Sequence, residues 1–248
     1  MIAKKMVILV VSDNPELTKF FQEEGELQNS SEFAVFEYAY SEANKNPDLM
    51  ENLGAKAVDV KDPQFCIRAK DEYNLIISIH CKQIFPINLV CSVTCVNFHP
   101  GLNPYNRGWF PQVFSIINKM PAGVTLHVMD AEVDHGVIID QREVFAEITD
   151  TSLDLYNRVI EAEKSLIKSN LLKLINQDYS VRDTECEGNY NSISDFKELC
   201  RLDLSTKGTL GSHIDLLRSL SHGEFKNAYF TDEAGKKIYV RIALEREK

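Results

Sequence analysis

The sequence has no basic surplus. It carries 27 lysines and arginines against 37 aspartates and glutamates, a net charge of −10. A nucleic-acid surface wants a clustered basic face, so no nucleic-acid partner is expected. One anionic small molecule is still accommodated, because a few local Arg and Lys side chains can hold a phosphate group. No apolar run approaches the ~20 residues of a membrane span, and no membrane partner is expected. The opening M-I-A-K-K-M-V-I-L-V-V-S-D has its apolar run only at residues 6–11. No small-residue cleavage site follows, so the run reads as a first strand rather than a signal peptide. No G-x-G-x-x-G follows that strand, which leaves a nicotinamide or flavin cofactor without support. The six cysteines read as reduced cytosolic thiols, several on buried strands. Cys91 and Cys95 lie four apart, but no further His or Cys motif completes a metal set, so no metal is expected. Buried small apolar side chains are the better reading of them.

What is present is an ordinary globular composition, 44% hydrophobic and 26% charged over 248 residues. That length suits one α/β domain with a small appendage. Residues 6–11 form a continuous apolar strand of the kind buried on both faces of a parallel sheet. Ser12-Asp13-Asn14-Pro15 caps the helix that follows, whose apolar face carries Leu17, Phe20 and Phe21. Residues 23–32 read as a polar loop, 33–40 as a second strand and 41–53 as a helix stopped by Gly54. A short strand at 55–60, a helix at 63–72 and a buried strand at 75–79 come next. Strands follow at 93–98, 124–129 and 137–145, with a helix opening at Trp109 and carrying Val113, Ile116 and Ile117. A long amphipathic helix spans 153–175. Residues 177–191 are polar and irregular. The tail holds a short segment at 194–199, a helix at 212–219, then strands at 228–231 and 237–243 joined as a hairpin.

The chemistry concentrates between Cys95 and Gln141. Asn97 and His99 close the strand at 93–98 and lie two apart, so both project from one face. Pro100-Gly101 ends that strand. Ligands of open α/β sheets sit at the carboxyl ends of the strands. Asp134 lies in a polar loop, 130–136, which can fold back and bring its carboxylate to His99. Such a carboxylate fixes the imidazole tautomer and stabilises the protonated form. From spacing alone, turn caps and a catalytic set are equally open readings.

N-F-H-P-G-L-N-P-Y-N-R-G followed by D-A-E-V-D-H-G resembles the N10-formyltetrahydrofolate-dependent formyltransferases, over residues 6–174. The stretch N-R-G-W-F-P-Q is similar to the branch that formylates amino groups on nucleotide-linked sugars. The resemblance implies a Rossmann-like formyltransferase domain with a mainly parallel sheet at residues 1–178. It also implies a small C-terminal nucleotide-contacting subdomain, a helix and β-hairpin appendage, at 179–248. It implies Asn97, His99 and Asp134 as catalytic residues. The folate co-substrate would lie along His80, Cys81, Lys82, Gln83 and Ile84, with Asp130 beside it, main-chain groups of the loop pairing with the pteridine. For His80 and Lys82, solvated loop side chains are an equal reading. Substrate contacts would come from Asn14, Asn106, Arg107, Trp109, Lys226, Asn227 and Tyr229. Trp109 reads as core or as a sugar-facing wall, and Arg107 as a loop brace or a phosphate contact. Tyr229 is the candidate to stack on a pyrimidine, a contact worth ~1–3 kcal/mol for nucleic-acid bases; an ordinary hairpin is the competing reading.

The implied reaction moves a formyl group from N10-formyltetrahydrofolate to a dTDP-linked amino-dideoxysugar, with dTDP-4-amino-4,6-dideoxyglucose the first choice. The product would serve bacterial surface polysaccharide, O-antigen included, which implies a cytoplasmic enzyme. Part of the broad apolar face of the long helix could support a homodimer, and packing on the sheet is the simpler account of that face. The alternatives are 3-amino isomers, a formyltetrahydrofolate hydrolase and a non-catalytic folate or nucleotide module. The purine-synthesis transformylase fits less well, because S-D-N-P-E-L stands where a Gly- and Ser-rich phosphate loop would be. The initiator-tRNA enzyme fits less well because the tail is short and the balance acidic.

Overall fold

The computed structural model describes residues 5–247. In chain order the elements are β1 (Met6–Ser12), α1 (Pro15–Leu27), β2 (Ala34–Ser41), α2 (Pro47–Glu51), β3 (Lys56–Val58), α3 (Pro63–Glu72), β4 (Leu75–Ile79), α4 (Ile87–Val90) and β5 (Cys95–His99). They continue with β6 (Arg107–Gly108), α5 (Pro111–Asn118), β7 (Ala122–Val128), β8 (Ile138–Val144), α6 (Ser152–Asn176) and β9 (Tyr190–Asn191). The tail supplies α7 (Ile193–Cys200), α8 (Leu210–Leu220), β10 (Tyr229–Thr231) and β11 (Lys237–Tyr239).

The seven-stranded sheet has the order β3-β2-β1-β4-β5-β7-β8. The pairs β1/β2, β1/β4, β2/β3 and β4/β5 are parallel, and β5/β7 is antiparallel. The sheet is thus the mainly parallel α/β sheet expected. Chain order reverses between β1 and β4, which makes their carboxyl ends the switch point where α/β sheets receive ligands. The apolar runs of β1 and β4 place Ile8, Val10, Val11, Ile76 and Ile77 fully inside, as strands covered on both faces require. Asn14 caps α1, its side-chain oxygen accepting from the Leu17 N–H at 3.1 Å, with Pro15 in the first turn,.

The described residues divide into two compact units. One holds the chain up to His99 with 124–142 and 163–185; the other holds 100–123, 143–162 and the chain from Cys186 onward. In the second unit Val113, Cys200, Leu220 and Ala228 form a core with Phe110, Ile117, Phe196 and Leu199. There β10 and β11 pair as a hairpin through Tyr229 and Tyr239, and β6 pairs with β9 in parallel.

Four local expectations change. Residues 23–32 are not all loop, because α1 runs on to Leu27 with Glu24 and Gly25 buried. The carboxylate of Glu24 accepts from Gln28 Nε2 at 2.6 Å, so a side chain that looked solvated is enclosed and bonded. The helix expected at 41–53 shrinks to Pro47–Glu51; a proline breaks a helix interior and suits only its first turn. Trp109 precedes its helix, which begins at Pro111, and its N–H donates to the Asn191 carbonyl at 2.9 Å. The irregular stretch 177–191 contains β9 and an Arg182–Ile138 bridge.

Phe21 on α1 is fully buried and meets Phe36 edge-on at a ring separation of 5.8 Å. Phe21→Ala should therefore cost ~3–5 kcal/mol, measured by urea denaturation. A loss below ~1 kcal/mol would contradict this packing.

Candidate active site

Two antiparallel strands build the site. In the β5/β7 register Asn97 stands opposite His127 and His99 opposite Thr125. Directly opposed residues share a face, so four polar side chains gather on one side of this strand pair. All but Asn97 are buried. Such groups are costly in an interior unless bonded. His127 Nδ1 donates to the Val128 carbonyl at 3.0 Å, because a carbonyl can only accept; its Nε2 lies 3.5 Å from the Asn97 amide nitrogen.

The loop after β7 delivers the charge. Asp134 accepts from Asn97 Nδ2 at 3.0 Å through Oδ1, and its Oδ2 lies 3.3 Å from His99 Nδ1. His127 Nε2 is 3.5 Å from Oδ1. One carboxylate therefore touches an amide and two imidazoles. Asp134 adopts φ of +51°, a left-handed conformation rare outside glycine and better tolerated by Asp than by most residues. Gly136 makes the fold-back possible. A Cβ there would lie 1.8 Å from the Val128 carbonyl oxygen, so only glycine permits the approach. Val128 N–H closes the turn by donating to the Val137 carbonyl at 2.9 Å. Asp130 is engaged within the loop, accepting from Glu132 N–H at 2.9 Å and meeting His135 Nδ1 at 2.9 Å. Chemically, the arrangement holds one imidazole in a fixed orientation beside an amide donor, as acyl transfer requires.

The loop after β4 lies at the switch point. His80 has φ of +55°, and its Nδ1 is 3.5 Å from the Asn14 amide nitrogen. Lys82 and Ile84 are exposed, and the main-chain groups of Ile84 bond to nothing among the described residues. Burial pushes the Cys81 and Cys95 thiols up to about 12, so neither is a thiolate near neutral pH.

The remaining candidates belong to the second unit. Asn106 is fully buried, with φ of +52°. Its amide is occupied internally: Nδ2 donates to Ser115 Oγ at 3.0 Å, and Oδ1 accepts from Asn118 Nδ2 at 2.6 Å and Asn189 Nδ2 at 2.9 Å. Arg107 is buried and pairs with Glu187 at 2.8 Å, bracing the loop. Trp109 is half-buried beside Phe110. Asn227 donates to the Leu220 carbonyl at 3.1 Å. Lys226 is exposed, 5.6 Å from the Tyr239 ring. Lys237 Nζ sits 3.9 Å over one face of Tyr229.

His127 escaped the sequence reading. Its signal was a histidine in a mainly apolar strand, two positions from Thr125; only the antiparallel register shows that it faces Asn97.

Known proteins resemble the chain in sequence and fold. Residues 3–171 match the family described as formyl transferase, and residues 195–246 match the N-formyltransferase dimerization C-terminal domain. The dTDP-4-amino-4,6-dideoxyglucose formyltransferase of Mycobacterium tuberculosis is 47% identical over 178 residues, 72% of this chain and 76% of that protein. A sugar N-formyltransferase from Shewanella sp FDAARGOS_354 is similar in structure, with 48% identity and a TM-score of 0.96 over 98% of this chain and 99% of that one. A 4-N formyltransferase from Francisella tularensis has 41% identity and a TM-score of 0.90 over 98% and 99%.

The thiol environments give a direct check. Iodoacetamide at mildly alkaline pH should label the exposed Cys91 and Cys186 in the folded protein and spare Cys66, Cys81 and Cys95. Peptide mass spectrometry reads the outcome, and rapid labelling of Cys81 would contradict its placement.

Proposed function

The chain belongs to the formyl transferase family, and we propose that it transfers a formyl group from N10-formyltetrahydrofolate to the amine of a dTDP-linked amino sugar. The first choice of acceptor is dTDP-4-amino-4,6-dideoxyglucose. The observation that carries the reading is Asp134, 3.0 Å from the Asn97 amide and 3.3 Å from His99 Nδ1. The choice of sugar is supported by the mycobacterial relative whose name states it and by the 4-N assignment of the Francisella protein.

In the proposed mechanism, His99 turns Nδ1 to Asp134, which makes Nε2 the base for the attacking amine. Asp134 stabilises the imidazolium that results. Asn97 spends one amide N–H on Asp134, and the other exchanges its long 3.5 Å approach to His127 Nε2 for the formyl oxygen as the tetrahedral centre forms. One such donor is typically worth ~2.7–4 kcal/mol of barrier. The new bond joins the sugar nitrogen to the formyl carbon. The bond to N10 breaks, and the amine proton passes through His99 to the departing nitrogen. No side-chain nucleophile is needed, in keeping with the protonated thiols of Cys81 and Cys95. His127 supports Asn97 and Asp134 from below.

Residues 1–178 are proposed as the catalytic part, with 80–84 and Asp130 toward the folate and Asn14 toward the sugar nucleotide. Residues 179–248 are proposed to contact the nucleotide, with Lys226 and Asn227 nearby and a pyrimidine stacking on the face of Tyr229 away from Lys237. Trp109 would wall the sugar. Arg107 and Asn106 would act by holding that loop, given their internal partners. The proposed setting is the bacterial cytosol, supplying surface polysaccharide. Among the described residues no helix is long and apolar enough to cross a membrane.

A second copy of the chain is the proposed partner. The tail matches a dimerization domain. The second unit bears an apolar groove of about 810 Å³ lined by Met120, Phe145, Ile148, Ile214 and Leu244. Phe145 and Ile148 are 76% and 77% exposed, a contiguous patch of the kind that marks protein interfaces.

The enzyme test mixes the protein with N10-formyltetrahydrofolate and a panel of dTDP-4-amino and dTDP-3-amino sugars. Tetrahydrofolate release and product mass are followed together. A formyl-sized mass gain on the 4-amino-dideoxyglucose is expected. Cofactor breakdown that ignores the sugar would identify a hydrolase instead. Asn97→Ala should lose about 10²–10³ in kcat, and His99→Ala and Asp134→Ala most of the activity, with circular dichroism unchanged. Wild-type turnover in His99→Ala would sink the mechanism. Light scattering should find a dimer that Phe145→Glu with Ile148→Glu converts to a monomer. A wild-type monomer at tens of micromolar would refute the partner.

A further inference from the structure

The loop that leaves β4 is held by three carboxylates from three separate parts of the first unit. His80 Nε2 lies 2.8 Å from Glu163 Oε2 on α6. The Lys82 N–H donates to Asp13 Oδ2 at 2.6 Å. Gln83 Nε2 donates to Asp59 Oδ1 at 2.8 Å, and its Oε1 accepts from Val60 N–H at 3.3 Å. Asp13 does more than hold Lys82. Its Oδ1 accepts from Ser41 N–H and Asn44 Nδ2, both at 3.0 Å, and its Oδ2 accepts from Ser41 Oγ at 2.6 Å. One buried carboxylate thus ties the carboxyl ends of β1, β2 and β4 together, across the point where the strand order reverses.

Stability alone accounts poorly for this. Glu163 is fully buried, and its Oε1 has no hydrogen-bond partner among the described residues. An interior carboxylate repays its desolvation only when the remaining lone pairs are satisfied, and apolar replacements of such groups are often neutral or stabilising. His80 adds a left-handed backbone at φ +55°, a strained conformation for a non-glycine residue. Strain and a buried carboxylate converge on a loop of five residues, 80–84. The consequence is orientation. In a trans peptide the N–H and C=O point in opposite directions. With the Lys82 N–H turned inward to Asp13, the Cys81 carbonyl faces the other way, and the chain that follows is presented at Ile84, whose main-chain groups have no partner among the described residues.

We infer that Asp13 and Glu163 are positioning residues that hold residues 80–84 in the shape that receives the folate. This rests on the assignment of that loop to the folate in the preceding subsection. Asp13 acts through the Lys82 N–H and Glu163 through the His80 ring. Preorganising a binding loop raises affinity by removing the cost of ordering it at the moment of binding. The effect therefore falls on folate binding and leaves the chemical step, carried by other strands, alone.

The test uses Asp13→Asn and Glu163→Gln in the full chain, each nearly the same size as the residue replaced. An amide accepts on one side only, so Asp13→Asn turns an NH2 toward at least one of the four donors. Calorimetry gives the Kd of 5-formyltetrahydrofolate, whose formyl group sits on the wrong nitrogen for transfer. Steady-state kinetics give kcat and both KM values, and thermal melting confirms folding. Asp13→Asn should raise that Kd, and the KM for N10-formyltetrahydrofolate, at least ten-fold. Glu163→Gln should raise both about three-fold or more. In each, kcat at saturating folate and the KM for the amino sugar should stay within about two-fold. Glu163→Gln carries the test should Asp13→Asn fail to fold. Unchanged folate affinity in a folded variant overturns the inference, as does a fall in kcat with both KM values moving together. Failure of the wild-type protein to bind 5-formyltetrahydrofolate overturns the folate assignment itself, and this inference with it.

Discussion

Everything polar at the end of β5 depends on the carboxylate of Asp134. Asn97, His99 and His127 converge on it, and without it three bonding groups would face one another with no anion between them. Its position in turn depends on Gly136, whose missing side chain lets the loop return to within contact of Val128. The chain of causes is short. Antiparallel β5/β7 pairing puts His127 beside Asn97, the glycine allows the return, and the return sets the carboxylate where an imidazolium can be stabilised. In the proposed reaction that is where charge develops, so the electrostatics are in place before the substrates arrive.

The same economy governs the neighbouring loop. Of the seven non-glycine residues with left-handed backbones among the described residues, Asp134, His80 and Asn106 lie in segments proposed to face a substrate or to carry one that does. Strain of this kind persists only where the surroundings over-determine it. Here the surroundings are specific: Asn97 and the two histidines around Asp134, Glu163 at His80, and the cluster of Ser115, Asn118 and Asn189 at Asn106. The acidic balance of the chain takes on meaning in this light. Asp13, Glu163 and Asp134 are spent inside as hydrogen-bond acceptors, whereas the surplus implied by composition alone reads as a solvated surface.

The motif was legible because it is local. N-F-H-P-G and D-A-E-V-D-H-G each describe a strand end and the turn that follows it, and the side chains that matter lie within a few residues of those turns. Strand periodicity puts Asn97 and His99 on one face whatever the rest of the fold does. The elements of the sheet were equally legible, since apolar runs such as 6–11 and 75–79 can satisfy their composition only as buried strands. The misreadings fall where tertiary contacts decide. Glu24 reads as a solvated loop residue and is enclosed, and Ser41 and Asn44 read as a helix start and are drawn instead to Asp13.

By itself the sequence determined the α/β class and the places of Asn97 and His99 at a strand end and of Asp134 in a polar loop. Hydrophobic periodicity and turn chemistry act within a few residues and need no knowledge of what lies across the sheet. The tertiary structure decided the partners. It brought His127 opposite Asn97, set Glu163 against His80 from a helix 83 residues away, and joined Asp13 to Lys82 across the switch point. Those meetings depend on strand order and on which helix covers which face. Such choices are settled by the packing of the whole core, and no local pattern encodes them.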